Sequence, residues 1–116
     1  MNKRNWGKLK EQQAAAFLKG CGFEIISLNY WSKSGEIDII ATKEDIIIFV
    51  EVKSSQYDVN SLEYSVNKRK QERIIGASRD YLQKNYKKNA RIRYDIVFIS
   101  NKNSDIYHIE NAFCEG

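Results

Sequence analysis

The sequence predicts one α/β domain, a mixed β-sheet flanked by helices with the element order α-β-β-β-α-β-β. Two observations predict this fold class. Helix-like and strand-like segments follow one another in that order along the chain. At 116 residues and 42% hydrophobic content, the chain can fill one modest core, whereas two would be hard to fill. Because no linker, repeat or low-complexity segment is present, residues 1–116 are predicted to form a single domain.

The N-terminal half predicts a helix followed by three strands. Residues 8–19 contain three consecutive alanines and no proline or glycine, which is typical of a helix, and Gly20 and Gly22 end it. Apolar segments then predict strands over residues 23–28, 36–42 and 46–53. A polar loop is expected over residues 30–35, and a hairpin turn at residues 43–45 joins the last two strands.

The C-terminal half predicts one helix and two strands. The helix covers residues 62–84 with Ser61 as its N-cap, and the strands cover residues 91–100 and 105–109. One helix stripe is apolar except for a lysine, whose ammonium either reaches the sheet or follows its stem to the surface. The stripe consists of Val66, Lys70, Ile74, Ala77 and Tyr81.

Charge and cysteine content restrict the function classes. The 19 lysines and arginines against 15 acids give a net charge of +4, which permits nucleic-acid binding without requiring it. No apolar run is long enough for a membrane helix, so a cytoplasmic protein is expected. Cys21 and Cys114 lie far apart and are predicted to be reduced core thiols. With His108 as the only histidine, zinc chemistry and a Ser-His-Asp triad are disfavoured.

Charged residues interrupt the second and third strands, where the pattern otherwise calls for aliphatic residues. If the hairpin folds symmetrically about its turn, facing positions sum to about 89, so that Asp38 faces Glu51 and Glu36 faces Lys53. Strict alternation would place all four on one face of the sheet. Two facing carboxylates repel each other unless a cation lies between them, and Mg²⁺ or Mn²⁺ would meet that need.

Two interpretations of this charged cluster stay open from spacing alone. In the first, Lys53 orients or deprotonates an attacking water, or neutralises charge on a phosphorane, during metal-assisted hydrolysis of a phosphodiester. In the second, the same residues form cross-strand ion pairs at a solvated sheet edge.

The residues around these acids resemble the PD-(D/E)XK nuclease superfamily. Asp38, within the motif GEIDIIA, matches the first-motif aspartate, and Glu51 and Lys53, within FVEVK, match the second motif. Within the superfamily, the chain is similar to the YraN-like family of small bacterial endonuclease-like proteins, which is itself similar to archaeal Holliday junction resolvases. The similarity runs nearly end to end, and it implies a restriction-endonuclease-like mixed β-sheet flanked by helices.

The resemblance also implies further site residues. Glu11 matches an opening-helix glutamate that joins the metal site in related resolvases, while Lys70 and Gln71 match near-site residues. Independently, Glu11 shares a helix stripe with Ala14 and Leu18, which would turn it toward the sheet, although a solvated first-turn acid is the alternative.

Other polar and aromatic residues give further predictions. Lys68 and Arg69 begin a basic second half that would either track phosphates or form a solvated helix face. Tyr30 and Trp31 would either stack on an unpaired base or cover the edge of the core. Asp95 is interpreted as an anchor for a loop or an arginine.

The leading functional hypothesis is a divalent-metal-dependent endonuclease that acts on DNA, with branched or structured DNA as one candidate substrate. Asp38, Glu51 and Glu11 would bind Mg²⁺ or Mn²⁺. The alternative hypothesis is a non-catalytic nucleic-acid-binding module or adaptor in DNA processing that keeps the nuclease fold. Because related resolvases act as dimers, the resemblance implies a homodimer, although no interface stripe is visible in the sequence.

Overall fold

The computed structural model describes residues 3–55, 66–85 and 90–115. Over these residues the predicted fold class and element order are confirmed. The elements are α1 (Lys3–Gly20), β1 (Glu24–Ser32), β2 (Gly35–Lys43), β3 (Ile46–Ser55), α2 (Lys68–Lys84), β4 (Arg91–Ser100) and β5 (Ile106–Phe113). No helix within the described ranges is both long and apolar enough to cross a membrane.

The strands form one five-stranded mixed sheet in the order β1-β2-β3-β4-β5. Neighbouring strands are antiparallel except for β3 and β4, which run parallel from the pair Ile46–Arg91 to the pair Ser55–Ser100. A parallel pair needs a long crossover, and α2 lies in that connection. The parallel pair therefore joins a three-stranded antiparallel unit, β1-β2-β3, to the antiparallel hairpin β4-β5.

Helices α1 and α2 pack against opposite faces of the sheet and give it two apolar layers. On the α1 face, Ala14 and Leu18 are fully buried with Ile48 and Val97. On the α2 face, the apolar residues of the predicted stripe are buried, since Ile74 and Ala77 pack with aliphatic and aromatic residues of the central strands. Because β3 and β4 are covered on both faces, they read as nearly continuous apolar runs in the sequence.

A buried polar network fixes β5 against β4 on the α1 face. Asp95, with no exposed surface, accepts two hydrogen bonds from the Arg93 guanidinium at 2.9 Å and one from the Asn111 backbone at 2.9 Å. Its Oδ2 also lies 2.7 Å from His108 Nε2. Burial alone would raise the pKa of Asp95, but these contacts outweigh it and lower the pKa. The interpretation of Asp95 as an anchor is confirmed.

The structure corrects the predicted end of the first strand. Residues 30–35 are not a loop, because β1 continues to Ser32, which pairs with Gly35 across the two-residue turn Lys33–Ser34. Inside this turn, the backbone N–H of Ser34 donates to Ser32 Oγ at 3.1 Å. The polar residues of this segment form the end of a tight hairpin and its two-residue turn rather than an irregular loop.

Three further predictions differ from the structure. Helix α2 begins at Lys68, not at residue 62, because Asn67 is the N-cap and its side chain accepts from the Lys70 backbone N–H; Ser61 lies outside the described residues. Strand β5 runs to Phe113 rather than to residue 109. The cysteines are free, as predicted, but both are exposed rather than in the core, because each directly follows the end of an element.

Candidate active site

The candidate site lies where β2 and β3 stop pairing. The predicted register is confirmed from Lys43–Ile46 to Ile39–Val50, and the ladder between the two strands ends there. One residue further on, the side chain of Asp38 replaces the missing ladder partner, because its Oδ2 accepts a hydrogen bond from the Val52 backbone N–H at 2.9 Å.

Strict alternation along β2 fails at this break. Ile37 is buried in the apolar layer of α2, whereas Ile39, two residues later, is buried in the layer of α1. The expectation that all four charged residues share one face is therefore wrong. The facing pairs expected from the symmetric register, Asp38 with Glu51 and Glu36 with Lys53, lie beyond the end of the observed ladder. Asp38 instead bridges the gap between the strands, and Glu36 is exposed.

Asp38 and Glu51 form a partly desolvated acidic pair at the break. Glu51 is only 5% exposed. Burial and the neighbouring charge of Glu51 raise the pKa of Asp38 from 3.8 to about 8, against the opposing effect of the Val52 hydrogen bond. Ionisation of both carboxyls is thus unfavourable unless positive charge is added.

Lys70 supplies part of that positive charge from α2. Its Nζ lies 2.5 Å from Glu51 Oε1, and the lysine side chain is 54% exposed while that of Glu51 is 6% exposed. Burial alone would lower the pKa of Lys70, but the hydrogen bond and charge of Glu51 outweigh it and raise the pKa. Of the two placements predicted for Lys70, the one that reaches the sheet is the one observed.

Glu11 approaches the same pair from α1. Its Oε2 is buried, and it has no hydrogen-bond partner among the described residues. Burial raises the pKa of Glu11, a hydrogen bond with Asn29 opposes that rise, and the charges of Glu36 and Glu51 add to it. Glu11 thus points inward and lies within the electrostatic range of the acidic pair.

The other predicted site residues lie around this centre. Lys53 follows Glu51 by two positions on β3, so its side chain leaves the same face of the sheet. Gln71 Nε2 donates to the Val66 carbonyl at 2.7 Å, which fixes the segment that enters α2. Lys68 and Arg69 are exposed on the first turn of that helix.

The metal-ligating capacity of the site rests on two carboxylates. Within the described ranges, no group of three or more His, Cys, Asp or Glu side chains is arranged to hold a metal ion. Glu11 is therefore not part of a preformed three-carboxylate set with Asp38 and Glu51. Mg²⁺ commonly uses one or two protein carboxylates and completes its shell with water and substrate phosphates, so the pair is chemically sufficient.

The sequence patterns did not indicate how the β1–β2 turn contributes to the surroundings of the site. An open groove of about 680 Å³ next to Lys70 is lined by this turn and by the first turns of α2, including Lys33 and Arg73. One residue in the sequence could have indicated this contact. Gly76 lies in the interior of a helix, where glycine costs about 1 kcal/mol relative to alanine and often marks a close approach of another segment; in the structure that segment is the β1–β2 turn at Ser34.

Fold and site together define a class of protein. It is a mixed α/β domain whose acidic pair occupies a break between two neighbouring strands and is approached by charged residues from the helices on both faces. Asp38, Glu51 and Lys70 are in contact or electrostatically coupled in this arrangement.

Comparison with known proteins identifies the family. The family described as Uncharacterised protein family UPF0102 matches residues 10–99. A UPF0102 protein of Sulfurihydrogenibium sp. is 37% identical over 114 residues, which cover 97% of each chain. A UPF0102 protein of Clostridioides difficile is 42% identical over 114 residues, which cover 97% of this chain and 100% of the relative. The chain belongs to UPF0102, and the YraN-like assignment made from the motifs is confirmed.

Proposed function

We propose that the protein is a divalent-metal-dependent nuclease that hydrolyses phosphodiester bonds in DNA. The observation that carries the proposal is the acidic pair formed by Asp38 and Glu51 at the break between β2 and β3. A pair whose joint ionisation is this unfavourable is a binding site for added positive charge.

The residues present fit a hard divalent cation. Asp38 and Glu51 would hold it, and the buried oxygen of Glu11 that has no partner among the described residues would serve as an acceptor for its water shell. When bound, Mg²⁺ or Mn²⁺ would polarise a phosphate oxygen and stabilise the charge that develops during hydrolysis.

The lysines of the site would act on the substrate. In the structure, the ammonium of Lys70 neutralises Glu51, and its mostly exposed side chain can turn toward a phosphate once that carboxylate is neutralised by other means. Lys53, on the same face as Glu51, would orient the attacking water and stabilise negative charge on the phosphorane. Gln71 would hold the start of α2, and with it Lys70, in position.

One observation favours a second candidate function, a nucleic-acid-binding module without catalysis. The Lys70–Glu51 ion pair uses the carboxylate that a metal ion would need, and no three-carboxylate site is preformed in the described part of the chain. A protein in which Lys70 permanently takes the place of the metal ion would bind DNA without metal, through the groove next to Lys70 that Lys33 and Arg73 also line.

A cleavage assay with a matched pair of variants tests the proposal. Wild type, Asp38→Asn and the exposed-site control Asp105→Asn would be purified identically and incubated with Mn²⁺ and linear duplex, single-stranded, flap or four-way-junction DNA. The Asp38→Asn variant would keep the acceptor for the Val52 N–H and lose only the ability to ionise and bind a cation. We expect cleavage by wild type and Asp105→Asn and none by Asp38→Asn.

Two outcomes of the cleavage assay would contradict the proposal in different ways. Equal cleavage by all three preparations at a rate that scales with the concentration of the protein would show that cleavage does not depend on Asp38, and it would refute the assignment of Asp38. If no preparation cleaves any substrate while all of them bind DNA in a salt-dependent manner, the binding-module function replaces the nuclease. Calorimetric titration with Mn²⁺ gives an independent readout, in which Asp38→Asn should abolish the binding heat.

A further inference from the structure

An exposed tryptophan stands between two cavities next to the candidate site. Trp31 is 74% exposed at the end of β1, although exposed indoles are uncommon on protein surfaces. It lines the groove of about 680 Å³ that reaches Lys70, which we call the Trp31 groove, and also a cavity of about 500 Å³ toward the C-terminal half of α2. Its neighbour Tyr30, by contrast, packs edge-on against Tyr81 in the core.

The wall that carries Trp31 is fixed to α2 by close packing. A Cβ at Gly35 would lie 2.9 Å from the backbone oxygen of Arg73, and a Cβ at Gly76 would lie 2.9 Å from Ser34 Cβ. Ser34 Oγ also donates a hydrogen bond to Asp80 at 2.8 Å. Because the turn and the helix touch at these points, the groove between them has a defined shape before any ligand arrives.

The charge of the groove indicates what it binds. Among the described residues that line it, the cationic side chains outnumber the acidic ones by four to one: Lys33, Arg69, Lys70 and Arg73 against Glu36. Cationic walls around an exposed aromatic ring are the combination that binds single-stranded nucleic acid, in which phosphates contact the cations and a base stacks on the ring. A protein partner that covered Trp31 by apolar contact would have no use for so many cations.

We propose that the Trp31 groove binds an unpaired nucleotide of the DNA substrate, with its base stacked on Trp31 and its phosphates along Lys33, Arg69 and Arg73. This inference rests on the proposed nuclease function and names its substrate class, which is DNA with a single-stranded segment next to the cleaved bond. Bases in a continuous duplex do not present a free face to the indole. Lys70 connects the two functions, since it lines the groove and contacts Glu51.

Fluorescence anisotropy with labelled DNA tests this inference without catalysis. The probes are a blunt duplex and the same duplex with a short single-stranded thymidine tail, in EDTA at constant salt. We expect Trp31→Ala to weaken binding of the tailed duplex about tenfold, because one stacked base is lost, and to leave binding of the blunt duplex unchanged. Trp31→Phe keeps an aromatic face and should retain most of the affinity for the tail.

Leu28→Ala is the matched control, since Leu28 is 43% exposed on the same strand and does not line the groove. It should bind both probes as wild type does. The inference is overturned if Trp31→Ala binds the tailed duplex as tightly as wild type, or if it loses the same factor on both probes. Because binding is measured without metal, a catalytically inactive protein can still pass this test, and an active nuclease can fail it.

Discussion

Replacing Asp38 by asparagine should stabilise the metal-free protein while it removes activity. The side chain sits beside Glu51 with its pKa raised from 3.8 to about 8. Asparagine has nearly the same shape and can accept the same hydrogen bond from the Val52 N–H. The substitution therefore removes the electrostatic cost of the site and leaves its hydrogen bond in place.

The magnitude follows from proton linkage. In the unfolded chain Asp38 is ionised above its ordinary pKa of 3.8, whereas in the folded protein it stays mostly protonated up to a pKa of about 8. Folding at pH 7 is therefore coupled to the uptake of a proton by Asp38. Since pH 7 lies about 3.2 units above the unfolded pKa and each unit corresponds to about 1.36 kcal/mol, this uptake lowers the free energy of unfolding by on the order of 4 kcal/mol. This cost is absent below the unfolded pKa and grows as the pH rises to about 8.

The assay is urea unfolding followed by circular dichroism, in EDTA, at several pH values between 5 and 8. The free energy of unfolding of the wild type should fall as the pH rises, whereas that of Asp38→Asn should be much less dependent on pH and exceed the wild-type value at pH 7. Added Mn²⁺ should raise the stability of the wild type but not that of Asp38→Asn, since a ligand that binds only the folded state stabilises it. Asp105→Asn, at an exposed position, should change stability by less than about 0.5 kcal/mol.

A lower stability of Asp38→Asn than of wild type at pH 7 in EDTA would refute this reasoning. It would mean that the carboxylate of Asp38 stabilises the fold, so that its proximity to Glu51 carries no net cost. The acidic pair would then give no reason to expect bound metal.

Three other predictions concern the surroundings of the site. Lys70→Met should destabilise the metal-free protein by about 1–2 kcal/mol in urea unfolding, because Glu51 is left buried and unpaired, and should tighten Mn²⁺ binding in calorimetry because the competing ammonium is gone. Asp95→Asn should cost about 3 kcal/mol at pH 7 by breaking a buried ion pair. Because its pKa is lowered, Asp95 contributes stability that is complete above 3.8 and is lost as the pH falls through the folded pKa; acid unfolding of the variant should therefore depend less steeply on pH. Gly76→Ala should lower the melting temperature by forcing the β1–β2 turn away, whereas Gly7→Ala, with open space around it, should gain up to about 1 kcal/mol.

The parts of the fold that could be predicted from the sequence are those set by apolar periodicity. The β2–β3 register was predictable because a short turn joins two strongly apolar strands, and a slip of one residue would have exposed their buried faces. The buried stripe of α2 was predictable because its apolar residues recur at the spacing of three to four residues that places them on one side of a helix. Its one lysine, Lys70, stood out as a polar residue at a core position.

The remaining features depend on particular hydrogen bonds and strand pairings that apolar periodicity does not encode. The change of face between Ile37 and Ile39 follows from the end of the β2–β3 ladder, which local pattern does not show. The true start of α2 depends on the Asn67 cap rather than on the polar residues before it. The extent of β1 depends on its pairing with Gly35 across a tight turn.

The break between β2 and β3 gives Asp38 two roles that are normally separate. When two neighbouring strands diverge, a backbone N–H near the break loses its ladder partner, and leaving it buried and unpaired would cost about 1–3 kcal/mol. Asp38 satisfies the Val52 N–H and at the same time places an ionisable carboxyl beside Glu51. Asp38→Ala would remove the hydrogen-bond acceptor together with the ionisable group, so a loss of activity in that variant would not separate folding from chemistry. Asp38→Asn separates them, since it keeps the acceptor and removes only the ability to ionise.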